Sequence, residues 1–178
     1  GTGAVDTSTA TEIGKLNRRY GVSSAGFGYR WHTTDPRWDL STNPNEAHLF
    51  GWVVEIDPYD PQSIPVKRTA LGRFKCESAQ YVTDDANGVA FYMGDDERNE
   101  YIYKFVSSGT FDRSNPGSAA NRRLLEDGIL YVAKFEAGAT TGDGAGTGAW
   151  IALVLGQNGL TAINGFASQA EVLIKCRQ

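Results

Sequence analysis

Two apolar, aromatic runs separated by a short acidic turn constrain the fold of this chain more than any other feature. The runs span 89–93 and 100–106, and Gly94-Asp-Asp-Glu-Arg-Asn99 lies between them. Apolar runs rich in Val, Ile, Tyr and Phe are typical of β-strands, so a short connection between two of them predicts a hairpin. Three consecutive acids in one turn repel each other unless a cation relieves the repulsion. The turn therefore predicts hard-metal ligands at Asp95, Asp96 and Glu97.

Composition limits the classes of protein that this chain can be. Its 178 residues, 40% hydrophobic and 21% charged, are enough for one globular domain. A net charge of -4 and the absence of any basic run longer than two residues argue against nucleic-acid binding. No apolar run approaches the ~20 residues of a membrane span, and the N-terminus lacks the features of a signal peptide. Cys76 and Cys176 are far apart in sequence, so a disulfide and two free thiols both stay open.

Three short helices are predicted from their capping residues. Thr9-Ala-Thr-Glu12 is a capping box, and the helix that it opens is expected to end at Gly21. Ser118 is expected to cap a helical turn through Leu125, and Ser168-Gln-Ala-Glu171 to open a helix through Ile174. Residues 21–49 read as a long irregular loop, which is unusual in a compact domain.

The rest of the chain predicts an all-β fold of short antiparallel strands with peripheral helices. The strands are expected at 50–56, 66–74, 80–83, 89–93, 100–106, 129–135 and 149–155, with hairpin loops at 84–88 and 138–148. A Tyr-x-x-Lys-Phe frame recurs at 101–105 and 131–135, which favours β-propeller blades, although a β-sandwich has comparable spacing. At about 40–50 residues per blade, the chain makes two to three blades, fewer than a closed propeller needs. We therefore expect an incomplete propeller, with a helix and long loop at 1–49 and the blade region at 50–178.

Four stretches carry a resemblance to a known family. They are Phe50-Gly-Trp-Val-Val-Glu-Ile-Asp-Pro-Tyr-Asp-Pro61; Pro65-Val-Lys-Arg-Thr-Ala-Leu-Gly-Arg-Phe-Lys75; Tyr92-Met-Gly-Asp-Asp-Glu-Arg98 with Glu100-Tyr-Ile-Tyr-Lys-Phe-Val106; and Gly156-Gln-Asn-Gly-Leu160 with 164–174. These motifs resemble those of the PhoX-type bacterial alkaline phosphatases, and the resemblance runs from about residue 18 to the C-terminus.

The resemblance implies both a function and its cofactors. Members of this family are β-propellers, typically six-bladed, that hydrolyse small phosphomonoesters. They use a buried cluster of Fe³⁺ and Ca²⁺ whose ligands are carboxylates and a thiolate. They are usually exported folded, by the twin-arginine route, to the periplasm or the outside. The resemblance also implies that the remainder of a parent propeller is the main partner of this chain.

The same resemblance points to individual site residues. Glu77 matches the acid that closes the family's Gly-Arg-Phe-x-His-Glu motif, which predicts a metal ligand. Cys76 stands where the family commonly has His. A small buried side chain is the ordinary interpretation of it, and a further ligand or a residue beside the ligands is the alternative. Asp95, Asp96 and Glu97 match the family's Gly-Asp-Asp-Glu-Arg turn, so at least one of them is expected to reach the metal cluster. Arg98 is expected to form a surface salt bridge, with orientation of these carboxylates or of the phosphate as the alternative, and no catalytic residue is assigned.

Two family motifs are missing, which bears on activity. A Cys-Glu-Glu stretch and a Met-Asp-Arg-Pro-Glu stretch would hold the iron thiolate and a phosphate-binding Arg, and neither is present. We therefore expect an interior piece of a phosphatase that is inactive on its own. The alternative is a non-catalytic, propeller-like module that binds calcium or acts as a scaffold. A lactonase-like esterase is a third class, but the motif that it would need is not found.

Overall fold

The computed structural model describes residues 5–25, 28–140 and 142–178. It divides into two units, one formed by Gly1–Gly51 with Arg177–Gln178 and the other by Trp52–Cys176. Residue 141, in the predicted loop 138–148, lies outside the described residues, as do residues 26 and 27 of the predicted loop 21–49. In the parts that are described, no helix has both the length and the hydrophobicity needed to cross a membrane.

Among its described residues, the first unit contains one α-helix, α1 (Glu12–Arg19), followed by three short 3-10 turns. Its N-cap is Thr11, whose hydroxyl accepts the Gly14 N–H at 3.1 Å, so the predicted cap at Thr9 is wrong. The reason is that the preceding segment folds back over the first turn of the helix. A Cβ at Gly14 would lie 2.3 Å from the carbonyl oxygen of Ser8, so only glycine fits at that position.

The second unit begins with a two-stranded ribbon of β1 (Val54–Glu55) and β2 (Val66–Lys67). The predicted strands 50–56 and 66–74 are therefore both too long. Residues 69–71 form a 3-10 turn instead. Leu71 and Phe74 are three residues apart and both are fully buried in the core, a spacing that strand alternation does not allow.

The main element of the second unit is a five-stranded antiparallel meander in which each strand pairs with the next. Its strands are β3 (Cys76–Thr83), β4 (Gly88–Asp95), β5 (Ile102–Thr110), β6 (Gly128–Ala137) and β7 (Gly146–Ala152). The predicted strand 80–83 is too short, because β3 continues back through a bulge to Cys76. Ser78 in this bulge has a φ of 63°. The bulge interrupts the alternation of exposed and buried side chains by which a strand is recognised in the sequence. The predicted strand 149–155 is displaced, since β7 runs three residues earlier at both ends.

Two helices of the second unit follow their predicted caps. Ser118 caps α2 (Ala119–Arg122) and Ser168 caps α3 (Gln169–Ile174), each by accepting the N–H three residues along the chain. The all-β class with short helices is confirmed, whereas the number of blades stays a prediction. Both cysteines are free thiols, so there is no disulfide between them.

The two faces of the meander differ in what covers them. On the core face, Tyr103 pairs across the sheet with Val132 and Phe105 with Leu130. These residues pack with the segment around Phe74 and with the α3 region, in a cluster of Leu71, Phe74, Met93, Tyr103, Phe105, Leu130, Leu153, Phe166, Val172 and Cys176. The opposite surface, here called the outer face, carries Val82, Tyr92, Ile102, Lys104, Ile129, Tyr131, Phe135 and Trp150.

Candidate functional site

The β3 edge of the meander brings the predicted metal-binding segments together. In the β3–β4 ladder, Glu77 lies opposite Gly94 and Cys76 lies opposite Asp95. The acidic turn is attached to the same edge, because the Asp96 N–H donates to the Lys75 carbonyl at 2.9 Å. The fold therefore places the backbones of Glu77 and of the turn side by side, although seventeen or more residues separate them in sequence.

The side chains of these segments, however, lie on two faces of the sheet. Residues directly opposite each other in an antiparallel pair share a face, and neighbours along a strand alternate. Cys76 and Asp95 are therefore on the core face, where Cys76 packs against the hydrophobic cluster. Glu77 is on the outer face beside Gly94, and its side chain is exposed.

The core-face pair is chemically suited to keeping a thiol protonated. Burial, and after it the negative charge of Asp95, raises the pKa of the Cys76 thiol to about 11. Both carboxylate oxygens of Asp95 are shielded from solvent. In this chain by itself, Cys76 is therefore a neutral thiol near pH 7 and not the thiolate that binds metals.

The tip of the acidic turn is exposed to solvent. Asp96, Glu97 and Arg98 are all exposed, and Asn99 has the positive φ of 63° that closes the turn. Glu97 forms an ion pair with Lys75 at 3.0 Å, and both side chains are nearly half exposed. Exposed pairs of this kind contribute about 0–1 kcal/mol, so Lys75 offsets charge in the turn without immobilising it.

The predicted ligands do not form a complete metal site in this chain. Within the described residues, no three His, Cys, Asp or Glu side chains are grouped closely enough to hold a metal ion. Glu77, Asp95, Asp96 and Glu97 have the right oxygen donors for hard cations, but their number at any one point is too small. Their assignment as ligands, and the roles of Cys76 and Arg98, stay predictions.

A groove that the sequence did not indicate lies at the other end of the core face. Its volume is about 560 Å³, and its mostly apolar lining comes from residues in or beside β1, β3, β4 and α2. Arg113 at this groove donates to Asn87 and to Thr83 Oγ1. Sequence patterns gave no signal for it, since its walls come from separate segments and Arg113 lies in a stretch that reads as a polar loop.

Comparisons with known proteins come from a family profile and a solved structure. The profile described as alkaline phosphatase PhoX matches residues 4–178. The structure titled "Pseudomonas fluorescens PhoX in complex with vanadate, a transition state analogue" is 50% identical in sequence with a TM-score of 0.86. The match covers 97% of this chain and 30% of that one, so the present chain spans less than a third of that protein's length. No curated protein matches the chain.

Proposed function

Because this chain belongs to the alkaline phosphatase PhoX family, we propose that it forms part of a metal-dependent enzyme that hydrolyses phosphate monoesters. The observation that carries the proposal is the 50% identity over 97% of the chain to a PhoX that binds vanadate, a transition-state analogue. Half of the aligned residues are identical over nearly the whole chain, and the fold is the same. This similarity supports the same activity in a protein as long as that PhoX.

The chemistry of the β3 edge supports a cation site that is completed by residues outside this chain. Phosphoryl transfer depends mainly on positioning and on neutralising the phosphoryl oxygens. Positive charge of that kind is what bound Fe³⁺ and Ca²⁺ would supply here. Glu77 and at least one acid of the 95–97 turn would provide carboxylate oxygens, which both cations accept. The chain alone is expected to be inactive because its described residues make no complete ligand set.

Other residues of this edge would position rather than bind the metals. The Asp96 N–H bond to the Lys75 carbonyl holds the turn against β3. Lys75 offsets the charge of Glu97, which leaves the neighbouring carboxylates for a cation. Arg98 is exposed at the tip, where a guanidinium can hold a carboxylate or a phosphate in a bidentate way. The substrate would be a small phosphate ester. Export to the periplasm or the outside, as the family resemblance implies, is part of the same proposal.

The proposal is testable in a chimera of Pseudomonas fluorescens PhoX in which residues 4–178 of this chain replace the matching segment. We expect the chimera to hydrolyse p-nitrophenyl phosphate, to be inhibited by vanadate and to contain iron and calcium by elemental analysis. A folded chimera that binds these metals but has no activity would contradict the proposed function.

Glu77→Gln in the chimera tests the strongest ligand prediction. The amide keeps the size of the side chain and removes its charge, so we expect a loss of about 100-fold or more in kcat and a lower metal content. The melting temperature of the metal-free chimera should not change, because the side chain is exposed in this chain. Glu136→Gln is the matched control, since Glu136 is also an exposed acid on a strand and its carboxylate forms an exposed ion pair with Lys134 at 2.7 Å. Equal activities of the two variants would remove Glu77 from the site.

The alternative function is a non-catalytic calcium-binding or scaffold role, which an incomplete ligand set also allows. The described residues hold no three-ligand cluster, and the chain spans only 30% of the matched PhoX. A chimera that binds calcium without iron and has no activity would support this role over the phosphatase.

A further inference from the structure

The groove at the Thr83 end of β3 has the size of a small-molecule binding site. Its volume of about 560 Å³ lies within the roughly 300–1,000 Å³ of ligand pockets, and all its lining residues belong to the second unit. Glu77 lies six residues earlier on the same strand, a separation of about 20 Å at ~3.3 Å per residue. The groove is therefore separate from the candidate metal-binding edge.

The walls of the groove are apolar side chains that the second unit leaves partly open to solvent. Phe91 and Phe111 are half-buried, and Tyr81, which is 63% exposed, lies with its ring centre 6.4 Å from that of Phe91. Leu124 and Leu125 are also half-buried. An apolar ligand would remove the exposed parts of these side chains from water, which is favourable.

One charged side chain at the groove is held in place and still has donors to offer. Arg113 Nε donates to Asn87 Oδ1, and its Nη2 donates to Thr83 Oγ1 at 3.3 Å. A guanidinium has five N–H donors, so these two bonds leave three, two on Nη1 and one on Nη2. No carboxylate among the described residues forms an ion pair with Arg113. Nη1 and Nη2 can therefore receive a carboxylate in the bidentate fork geometry.

The other charged and amide groups of the lining are already engaged. Asn121 fixes the loop that carries Arg113, because its Nδ2 lies within 3.1 Å of three carbonyl oxygens of the segment 112–116 and its Oδ1 accepts an N–H of that segment at 2.8 Å. Glu55 is paired with the buried Arg68 at 2.6 Å. Arg113 is therefore the group of the lining that can recognise a charged ligand.

The charge balance at the groove favours a ligand with a single negative charge. Of the described residues that line the groove, Arg113 is the one cation, and the exposed Asp112 precedes it in sequence. A second negative charge on the ligand would face no cation of the lining and would be repelled by Asp112. A phosphate monoester carries about -1.5 to -2 charges at pH 7, so the groove is not suited to a second molecule of that substrate.

We propose that the groove binds a small amphiphilic carboxylate, with its apolar chain along the walls and its carboxylate on the Nη1 and Nη2 donors of Arg113. Fatty acids of medium length have this chemistry. The inference rests on the second unit alone and does not depend on the phosphatase activity proposed above.

Isothermal titration of the chimera described above with decanoate tests the proposal. We expect decanoate to bind at one site, and decyltrimethylammonium, which has the same chain and the opposite charge, to bind at least about tenfold more weakly. Saturating vanadate should leave the affinity for decanoate unchanged, because the groove is remote from the candidate metal-binding edge. Equal affinities for the two amphiphiles, or competition between decanoate and vanadate, would overturn the proposal.

A pair of arginine variants in the chimera locates the bound carboxylate. Arg113→Met keeps most of the length of the side chain and removes its charge, so we expect the Kd for decanoate to rise at least about tenfold. Arg18→Met is the matched control, since Arg18 is an exposed arginine on α1, outside the groove, and the Kd should stay within about twofold. Equal Kd values for the two variants would contradict the proposal. If Arg113→Met does not fold, the comparison of the two amphiphiles in the unaltered chimera decides.

The chain 1–178 by itself shows whether another segment of a longer PhoX polypeptide fills the groove. We expect this chain and the chimera to bind decanoate with the same affinity, within about threefold. Binding by the chain but not by the chimera would mean that the rest of the polypeptide occupies the groove, and would overturn the proposal. The absence of binding to both proteins would overturn it as well.

Discussion

The two faces of the five-stranded meander are made from the same strands but have opposite surroundings. On the core face, the Tyr103 ring stacks on Phe74 at 4.1 Å and its hydroxyl donates to the Cys176 carbonyl at 3.2 Å. One residue further along β5, Lys104 on the outer face is surrounded by rings that are themselves partly exposed. Alternation along a strand decides which residues share a face, but what covers that face depends on the rest of the polypeptide. Here the described residues of the second unit cover one face only.

The largest expected effect comes from truncating a core-face ring. Phe105→Ala removes a fully buried side chain, so we expect the free energy of unfolding of this chain to fall by about 3–5 kcal/mol. Ile102→Ala on the outer face of the same strand removes a side chain that is 46% exposed, and should cost about 1 kcal/mol or less. Urea denaturation of both variants measures the difference. Similar losses at the two positions would mean that the outer face is also covered in the isolated chain.

A pair of glycines gives a sharper and somewhat smaller contrast. A Cβ at Gly128, at the start of β6, would lie 2.3 Å from the Val106 carbonyl oxygen and 2.5 Å from the Phe105 ring. Gly128→Ala must displace backbone and a buried ring, which costs about 1–3 kcal/mol. At Gly94 the nearest atom to a Cβ is the Glu77 carbonyl oxygen at 3.9 Å, so Gly94→Ala fits without displacement.

The same denaturation experiment reads out both glycine variants. We expect the stability of Gly94→Ala to stay within about 0.5 kcal/mol of the parent chain, as for substitutions away from special features. If Gly128→Ala were equally harmless, the close packing of β6 against Phe105 would be incorrect.

The sequence predicted all five strands of the meander, with errors in the bounds of β3 and β7, because their signals are local. Alternating apolar residues, the Asp84–Gly88 turn and the Ser168 cap all act within a few positions of the chain, and each is present in the structure. The segment 66–74 could not be predicted in this way. Its course depends on the buried Arg68, which bonds Glu55 at 2.6 Å and Glu126 at 3.2 Å, and both acids are distant in sequence.

The candidate site was predictable to the same extent. The acidic turn and the position of Glu77 followed from motifs, and the structure places their backbones side by side. The faces of their side chains depend on the register of β3 and on its bulge at Ser78, which no local pattern reveals. The groove at Arg113 was missed for a related reason, because its walls come from segments that are far apart in sequence.

The smallest expected effect concerns the two thiols on the core side. Burial raises the pKa of Cys176 to about 12 and, together with Asp95, that of Cys76 to about 11. An unfolded thiol has a pKa of about 8.5, so above pH 9 the unfolded chain releases thiol protons that the folded chain keeps. The free energy of unfolding must therefore fall as the pH rises from 9 toward 11, by about 1 kcal/mol per thiol between pH 9 and pH 10.

Cysteine variants isolate this contribution from the titration of other groups. The double variant Cys76→Ala, Cys176→Ala should show a flatter decline in stability between pH 9 and pH 10 than the parent chain, although it will be less stable at pH 7 because two core-side groups are lost. Urea denaturation at the two pH values measures the slope for each protein. A cysteine added on the exposed outer face, as in Phe135→Cys, should lose its proton at the same pH in the folded and the unfolded chain, so it should leave the slope of the isolated chain unchanged. If the double variant kept the full decline, the thiols would be accessible to water in the folded state and the core face would be more open than its packing indicates.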